Sequence, residues 1–227
     1  MVTPNDPGSV ATVSNMAKNI NASTPEVPLS NARERILDAA YGLFSRYGIR
    51  AVGVDTIVAE SGVAKMTLYR HFPSKDDLVI AFLKRREERW THAWVKGEVE
   101  RRAVGPTERL LAIFDVFGEW FQRDDFEGCS FINVLLEVED RAHPIHTAAV
   151  RHLAFIRSFL RELAEQAGVR DPDRFSRQWH MLMKGSIVAA GEGDRDAARL
   201  IKEVGRLLLD AQGLPAEAPR VETTRGG

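Results

Sequence analysis

Six of the seven side chains from Lys65 to His71 carry groups able to bind something. They are the cations Lys65 and Arg70, the imidazole of His71, the hydroxyls of Thr67 and Tyr69, and the soft thioether chain of Met66. The seventh, Leu68, is plain aliphatic. Such a run makes sense on a helix if Leu68 packs inward with Ile57, Val58 and Val63 while the other six face outward. A helix this short is marginal alone, yet it suffices to place a few side chains in a major groove of DNA. Upstream, Val54 to Ser61 reads as another short helix, and Gly62 between the two supplies a left-handed turn residue. These are the parts of a helix-turn-helix.

Other reactive side chains form no comparable constellation. Cys129 is the one cysteine in the chain, which rules out an internal disulfide and fits a reducing compartment. With no resolving cysteine and no basic neighbours, it reads as a small packing residue and not as a redox sensor. His143, His146 and His152, near Glu137, Glu139 and Asp140, have the composition of a metal site, but not the spacing. Pro144 opens a helix between the first two, and His146 and His152, six apart, pair poorly on a helical face. They read as hydrogen-bonding or solvent-facing groups, so neither a metal nor another cofactor is expected. There is no phosphate-cradling glycine loop, no nucleophile elbow and no HExxH. An enzyme acting on small hydrophobic substrates is therefore the weaker alternative, and it would leave the Lys65–His71 run unexplained.

The elements that must position these groups follow from an apolar period that is helical throughout. Asn31 with Glu34 has capping-box spacing and opens a first helix, whose stripe is Ile36, Ala39, Ala40, Leu43, Phe44 and Tyr47 and whose stop is Gly48. The helix from Lys65 to His71 is cut by Pro73. Ser74 caps a fourth helix with Asp76 and Asp77 in its first turn. That helix continues to Arg102, roughly 40 Å at 1.5 Å per residue. After Gly105-Pro106, a fifth helix is marked by Leu110, Ile113, Phe114, Phe117 and Phe121, and a sixth runs from Ser130 to about Asp140. A seventh opens at Pro144 and closes at Gly168, an eighth opens at Asp171-Pro172, and a ninth spans about Asp194 to Gln212. No alternating strand pattern and no solenoid repeat occurs. The expected fold is all-α, with about nine helices.

Residues 1–30 are rich in Ser, Thr, Asn and Pro and read as a disordered tail, as do residues 214–227. Met16, inside the first tail, is an alternative start. Hydrophobic residues make up 44% and charged residues 28% of the 227, the usual mix for a soluble protein. No stretch reaches the ~18 apolar residues of a membrane span, and no secretion signal precedes the fold, so the expected location is the cytoplasm. The net charge is −1, but between residues 31 and 95 there are 11 Lys and Arg against 8 Asp and Glu. A basic segment on an acidic remainder suits a DNA-binding module on a regulatory body.

The stretch Leu68-Tyr69-Arg70-His71-Phe72-Pro73-Ser74-Lys75-Asp76-Asp77-Leu78, preceded by Gly62-Val63-Ala64-Lys65-Met66-Thr67, resembles the signature of the TetR/AcrR family of bacterial regulators. Phe44-Ser45-Arg46-Tyr47-Gly48 matches the end of that family's first helix, so the likeness runs from Arg33 to Leu83. One departure is Gly53-Val54, where members often carry a Thr pair; Thr56 or Arg50 would have to supply that phosphate contact. The resemblance implies that Lys65 and Met66 lie nearest the base edges, Met66 suited to a thymine methyl. Thr67, Tyr69, His71 and Lys75 would bind phosphate, and Arg70 either. Tyr69 has an alternative as an interhelical packing residue.

The same resemblance implies a DNA-binding domain over 31–83 and a domain for effector binding and dimerisation over 84–213. It implies a homodimer through the helices at about 172–191 and 194–212, on a palindromic operator in double-stranded DNA. The regulator would be a repressor, with activation the other possible sign, released by a small hydrophobic or aromatic effector. Candidates to line the effector pocket are Trp90, Trp94, Phe114, Phe117, Trp120, Phe121, Phe131, Trp179, Met181 and Met183, against the plainer reading of each as core. The segment from Gly128 to Glu137 resembles one branch of the family. An architectural or ligand-independent DNA-binding protein of the same fold is the alternative. A sizeable pocket favours the sensor, and a filled core favours the architectural role.

Overall fold

The computed structural model describes residues 32–214, so the expected cap at Asn31 and, apart from Leu214, the expected tails on either side lie outside them. The first helix, α1 (Ala32–Ala51), buries Ile36, Leu37, Ala40 and Phe44 at helical spacing. Gly48 leaves helical geometry at φ 78° and ψ 166°, so the expected stop is a break followed by one short turn that buries Ile49. Tyr47, read as part of the apolar stripe, is exposed, with the Arg46 guanidinium 5.3 Å from its ring centre. Two short helices follow, α2 (Val54–Ser61) and α3 (Lys65–His71).

The fourth helix starts behind a complete capping box. Ser74 Oγ accepts from the Asp77 backbone N–H at 3.1 Å, and Asp77 Oδ2 accepts from the Ser74 N–H at 3.0 Å. Lys75–Arg86, Glu87–Lys96 and Gly97–Arg102 then run on without interruption as α4. Its middle third, Glu87–Lys96, is wound as a π-helix, where the sequence period predicts one uniform α-helix.

The body is α5 (Pro106–Phe121), α6 (Ser130–Glu137), α7 (Pro144–Gln166), α8 (Pro172–Gly191) and α9 (Ala197–Asp210). The described residues thus form nine helices and no strand. Pro106, Pro144 and Pro172 each stand at a first helical position, where a missing N–H costs nothing. Helix α6 ends at Glu137, three residues before the expected Asp140, because Val138 turns to an extended conformation. Helix α9 begins at Ala197 and not at Asp194, whose carboxylate instead accepts the Asp196 N–H in a preceding turn.

Packing divides along the chain. Helices α2 and α3 lean on α1, and α1 also packs on α4 and α6, while α7 to α9 and α5 form the larger body. In that body Trp179 stacks on Phe175 and lies 5.3 Å from Phe114. Gly205 is what lets α9 reach them, since a Cβ there would stand 2.9 Å from Trp179 and 3.2 Å from Phe114. The α1–α4 contact is polar at its edge. Arg85 pairs with Glu34 and, at 2.7 Å, with Asp38; Arg89 reaches Asp38 at 3.3 Å; and Arg86 donates to the Tyr41 hydroxyl at 3.0 Å. Three cations of the basic segment are therefore spent on fixing α4 against α1.

Candidate nucleic-acid interface

The helix-turn-helix is anchored from below. Leu68 is fully buried, as are Ile57 on α2 and Phe72 just beyond α3; burying one Leu side chain contributes about 1.5–3 kcal/mol. Gly62 closes α2 in the left-handed region (φ 62°, ψ 28°), its N–H donating to the Val58 carbonyl. A side chain there would strain the backbone and bring a Cβ within 2.8 Å of Arg35 Nη2. Arg35 occupies that space because it donates to the Ser61 and Gly62 carbonyls, at 2.7 and 3.2 Å. It neutralises the carbonyl end of α2 from α1, a contact that sequence period alone does not show.

With Leu68 inward, Lys65, Met66, Tyr69 and Arg70 face solvent, while Thr67 and His71 are half-buried on the flanks. Met66 is 76% exposed and Tyr69 is 39% exposed. The Lys65 ammonium lies 2.7 Å from Asp55 Oδ1 on α2, which raises its pKa through the hydrogen bond and the charge of Asp55.

The flanking candidates divide into two places. Thr56 is exposed on α2, one turn from the uncapped N-terminus at Gly53. Arg50 and Lys75 share a depression with Asp76, Glu137 and His143, where the break after Gly48 meets the ends of α4 and α6. There the Arg50 backbone N–H donates to Glu137 Oε2 at 2.6 Å, and His143 Nε2 stands 3.4 Å from Asp76. Glu137 thus ties α6 to the end of α1, although nothing in its sequence spacing signals that.

A family description reading "Bacterial regulatory proteins, tetR family" matches residues 36–82, and "Tetracyclin repressor-like, C-terminal domain" matches residues 106–201. A solved TetR-type transcriptional regulator from Streptomyces avermitilis is 33% identical, covering 81% of this chain and 99% of that one at a TM-score of 0.72. The chain belongs to the TetR family. Membership places it among transcriptional regulators and not enzymes. Among curated relatives of this TetR-family chain, the repressor KstR of Rhodococcus jostii is 46% identical over 92 residues, 40% of this chain and 42% of KstR. The activator FasR of Mycolicibacterium smegmatis is 32% identical over 100 residues, 43% of this chain and 44% of FasR. The chain thus matches less than half the length of either.

In the body of this TetR-family protein, a cavity of about 200 Å³ opens between the π-helical part of α4, α7 and α8. Trp90, Thr91, Val95 and Lys96 line it from α4, Phe155, Ile156, Phe159 and Glu162 from α7, and Met183 from α8. Of the sequence-predicted pocket residues, Trp90 and Met183 are on this wall. Trp94, Phe117, Trp120 and Phe121 instead join Trp90 in a packed aromatic cluster, with Trp90 and Trp120 4.7 Å apart. Phe114 and Trp179 pack beneath α9, Phe131 lies 5.2 Å from the His152 ring, and Met181 is exposed on the outside of α8.

Other titratable groups of the body are held by burial. Cys129 is buried, and burial pushes its thiol pKa up, away from the reactive thiolate. His152, against the Glu87 carboxylate, is lowered by burial. His180 is lowered to about 3, first by burial and then by the charges of Lys184 and Arg157. No helix among the described residues is long and apolar enough to cross a membrane.

Proposed function

We propose that the chain is a cytoplasmic homodimeric repressor that grips a palindromic operator through α3 and lets go when a small, largely apolar effector enters the α4–α7–α8 cavity. The observation that carries the reading is the outward row of Lys65, Met66, Tyr69 and Arg70 on a helix rooted by Leu68. Lys65 and Met66 would meet base edges, while Thr67, Tyr69, His71, Lys75 and, behind them, Thr56 and Arg50 would bind phosphate and set the register, with Arg70 in either role. The reading divides the chain into a DNA-binding domain over 31–83 and an effector and dimer domain over 84–213.

The dimer reading is supported by two apolar rows left uncovered on adjacent helices: Met181 and Val188 on α8, and Leu200, Val204 and Leu207 on α9. Exposed Gly185 lies between the first two, leaving room for a close helix approach. A second copy covers both rows with the same rows, the self-complementary condition of a twofold interface. Two recognition helices then meet half-sites 34–36 Å apart, or a longer multiple-turn spacing. The cavity favours a sensor over an architectural protein with a filled core.

The mechanism is a shift between two dimer states. Helix α4 links the cavity wall to the Ser74 cap beside α3, so an effector that prefers one setting of α4 prefers one spacing of the recognition helices. It releases DNA only to the extent that it binds the two states differently. Mobility-shift assays with fragments upstream of the gene, alongside sedimentation of the free protein, test the reading: a dimer giving one discrete, competitor-resistant complex supports it, and a monomer binding all fragments alike overturns it.

A further inference from the structure

The cavity is more specific than an apolar slot, and its chemistry narrows the effector, given that this cavity is the effector site. Three polar groups reach it. Thr91 is 7% exposed, and its Oγ1 has no hydrogen-bond partner among the described residues, an arrangement that costs free energy unless a ligand or water fills the valence. Lys96 is half-buried, makes no ion pair among the described residues, and has its ammonium 5.8 Å from the Phe159 ring centre. Glu162 is exposed at the rim, where water solvates its charge.

Of the two charged groups on the lining, Lys96 is therefore the one drawn into the wall and Glu162 the one left in water. On the far side of the wall the Arg86 guanidinium lies 5.8 Å from the Trp90 ring centre, so a protein cation already attends each of two aromatic walls. A cationic ligand would meet like charge in a site of low dielectric, whereas an anion would meet Lys96. Size gives the rest. A dry cavity of about 150 Å³ holds benzene, so about 200 Å³ suits one ring with one or two substituents.

We propose that the effector is a compact monocyclic carboxylic acid. Its ring lies among Trp90, Phe155, Phe159 and Met183, its carboxylate meets Lys96, and a second polar substituent, where present, bonds Thr91 Oγ1. The π-helical winding of α4 makes this site. Thr91 and Lys96 are five residues apart, which in an α-helix places them about 140° apart around the axis. In a π-helix the i→i+5 hydrogen bond makes the same two residues neighbours on one face, and both line this cavity. A ligand that bridges them holds the π register and with it the rotation of Lys75–Arg86 relative to Gly97–Arg102.

The test is titration of the full-length protein with benzoate, benzamide and benzylamine, which share a ring and differ in charge, followed by calorimetry. Benzoate is expected to bind at least tenfold more tightly than benzamide, and benzylamine most weakly. Lys96→Met is expected to bring benzoate down to the level of benzamide, and Thr91→Val to weaken 3-hydroxybenzoate more than benzoate. Benzylamine or benzamide binding as tightly as benzoate overturns the carboxylate class; if Ile156→Trp, which fills the cavity, then abolishes that binding, the cavity remains the ligand site. None of the three probes binding overturns the proposal. Binding that Ile156→Trp leaves unchanged removes the cavity itself from the effector reading.

Discussion

Lys65 Nζ stands 2.7 Å from Asp55 Oδ1 across the helix-turn-helix, so the cation proposed for a base edge is paired before any DNA arrives. Both side chains are exposed, and an exposed pair contributes little and is screened by salt. In the proposed complex the pair would aim Lys65 and at the same time set a negative charge close to the phosphates. Asp55→Asn is expected to tighten binding to random DNA several-fold and to steepen the dependence of log K on log salt by about one phosphate equivalent. Fluorescence anisotropy at several salt concentrations reads both; an unchanged slope contradicts the placement.

Lys65 and Lys75 differ in what they can see. Lys65 projects from the exposed start of α3, while Lys75 sits in the depression behind it with Arg50. Lys65→Ala should cost about 1–3 kcal/mol of discrimination at one operator position. Lys75→Ala should weaken binding to all sequences alike. Equal losses on operator and random DNA for both variants would remove the distinction.

The turn depends on Gly62 and Arg35 together. Gly62→Ala puts a side chain at φ 62°, with its Cβ 2.8 Å from Arg35 Nη2, and should destabilise the fold by about 1–3 kcal/mol. Arg35→Ala should leave the Ser61 and Gly62 carbonyls without that donor and lower operator affinity with little change in dimerisation. Thermal unfolding and anisotropy measure the two effects, and a neutral Gly62→Ala would show that the turn tolerates the side chain.

Glu137 is the joint between the body and the end of α1, accepting the Arg50 N–H at 2.6 Å. A hydrogen bond to a charged group is worth about 1.5–3 kcal/mol. Glu137→Ala is expected to leave an operator complex that forms but is less readily dissolved by effector. Retention of full effector response in that variant would show that coupling travels through α4 alone.

Acid should loosen the body through His180. Its folded pKa is pushed down to about 3 by burial and by Lys184 and Arg157, against an ordinary value of about 6.5. As pH falls, the unfolded chain therefore takes the proton first, so the stabilisation is complete above about pH 6.5 and is lost towards pH 3. Across that window the loss is on the order of 5 kcal/mol, and His152, lowered by burial, acts in the same direction. His180→Gln should flatten the acid limb of denaturation midpoint against pH. An unaltered limb would assign the acid sensitivity elsewhere.

Much of this architecture is written in local pattern. Gly62, Pro73, Ser74 and the three prolines at helix starts mark boundaries because each acts locally, glycine by admitting a positive φ, proline by fixing φ and serine by capping, and α3 accordingly spans Lys65–His71 as predicted. What pattern leaves open is which side chains meet in the fold and how each turn is wound. The π winding of Glu87–Lys96 uses the same residue types as an α-helix, so Thr91 and Lys96 carried no signal as cavity residues. Phe155, Ile156 and Phe159 carry no such signal either, because apolar side chains at helical spacing look alike whether a neighbour or a void faces them. Glu137 meets Arg50 across 87 residues of chain, and Asp55 meets Lys65 across the turn, while the ends of α6 and α9 rest on local turns that helical period does not mark.

The central claim, sequence-specific recognition by α3 in a dimer, is tested most directly by selecting binding sites from a pool of random duplexes. Wild-type protein should enrich one inverted repeat whose half-sites lie about one helical turn, or a longer whole-turn spacing, apart. Lys65→Ala should degrade the half-site at one position while leaving that spacing intact. Failure to enrich any repeat, or enrichment of the same sequence by a variant with Lys65, Met66 and Arg70 all changed to Ala, would contradict the account.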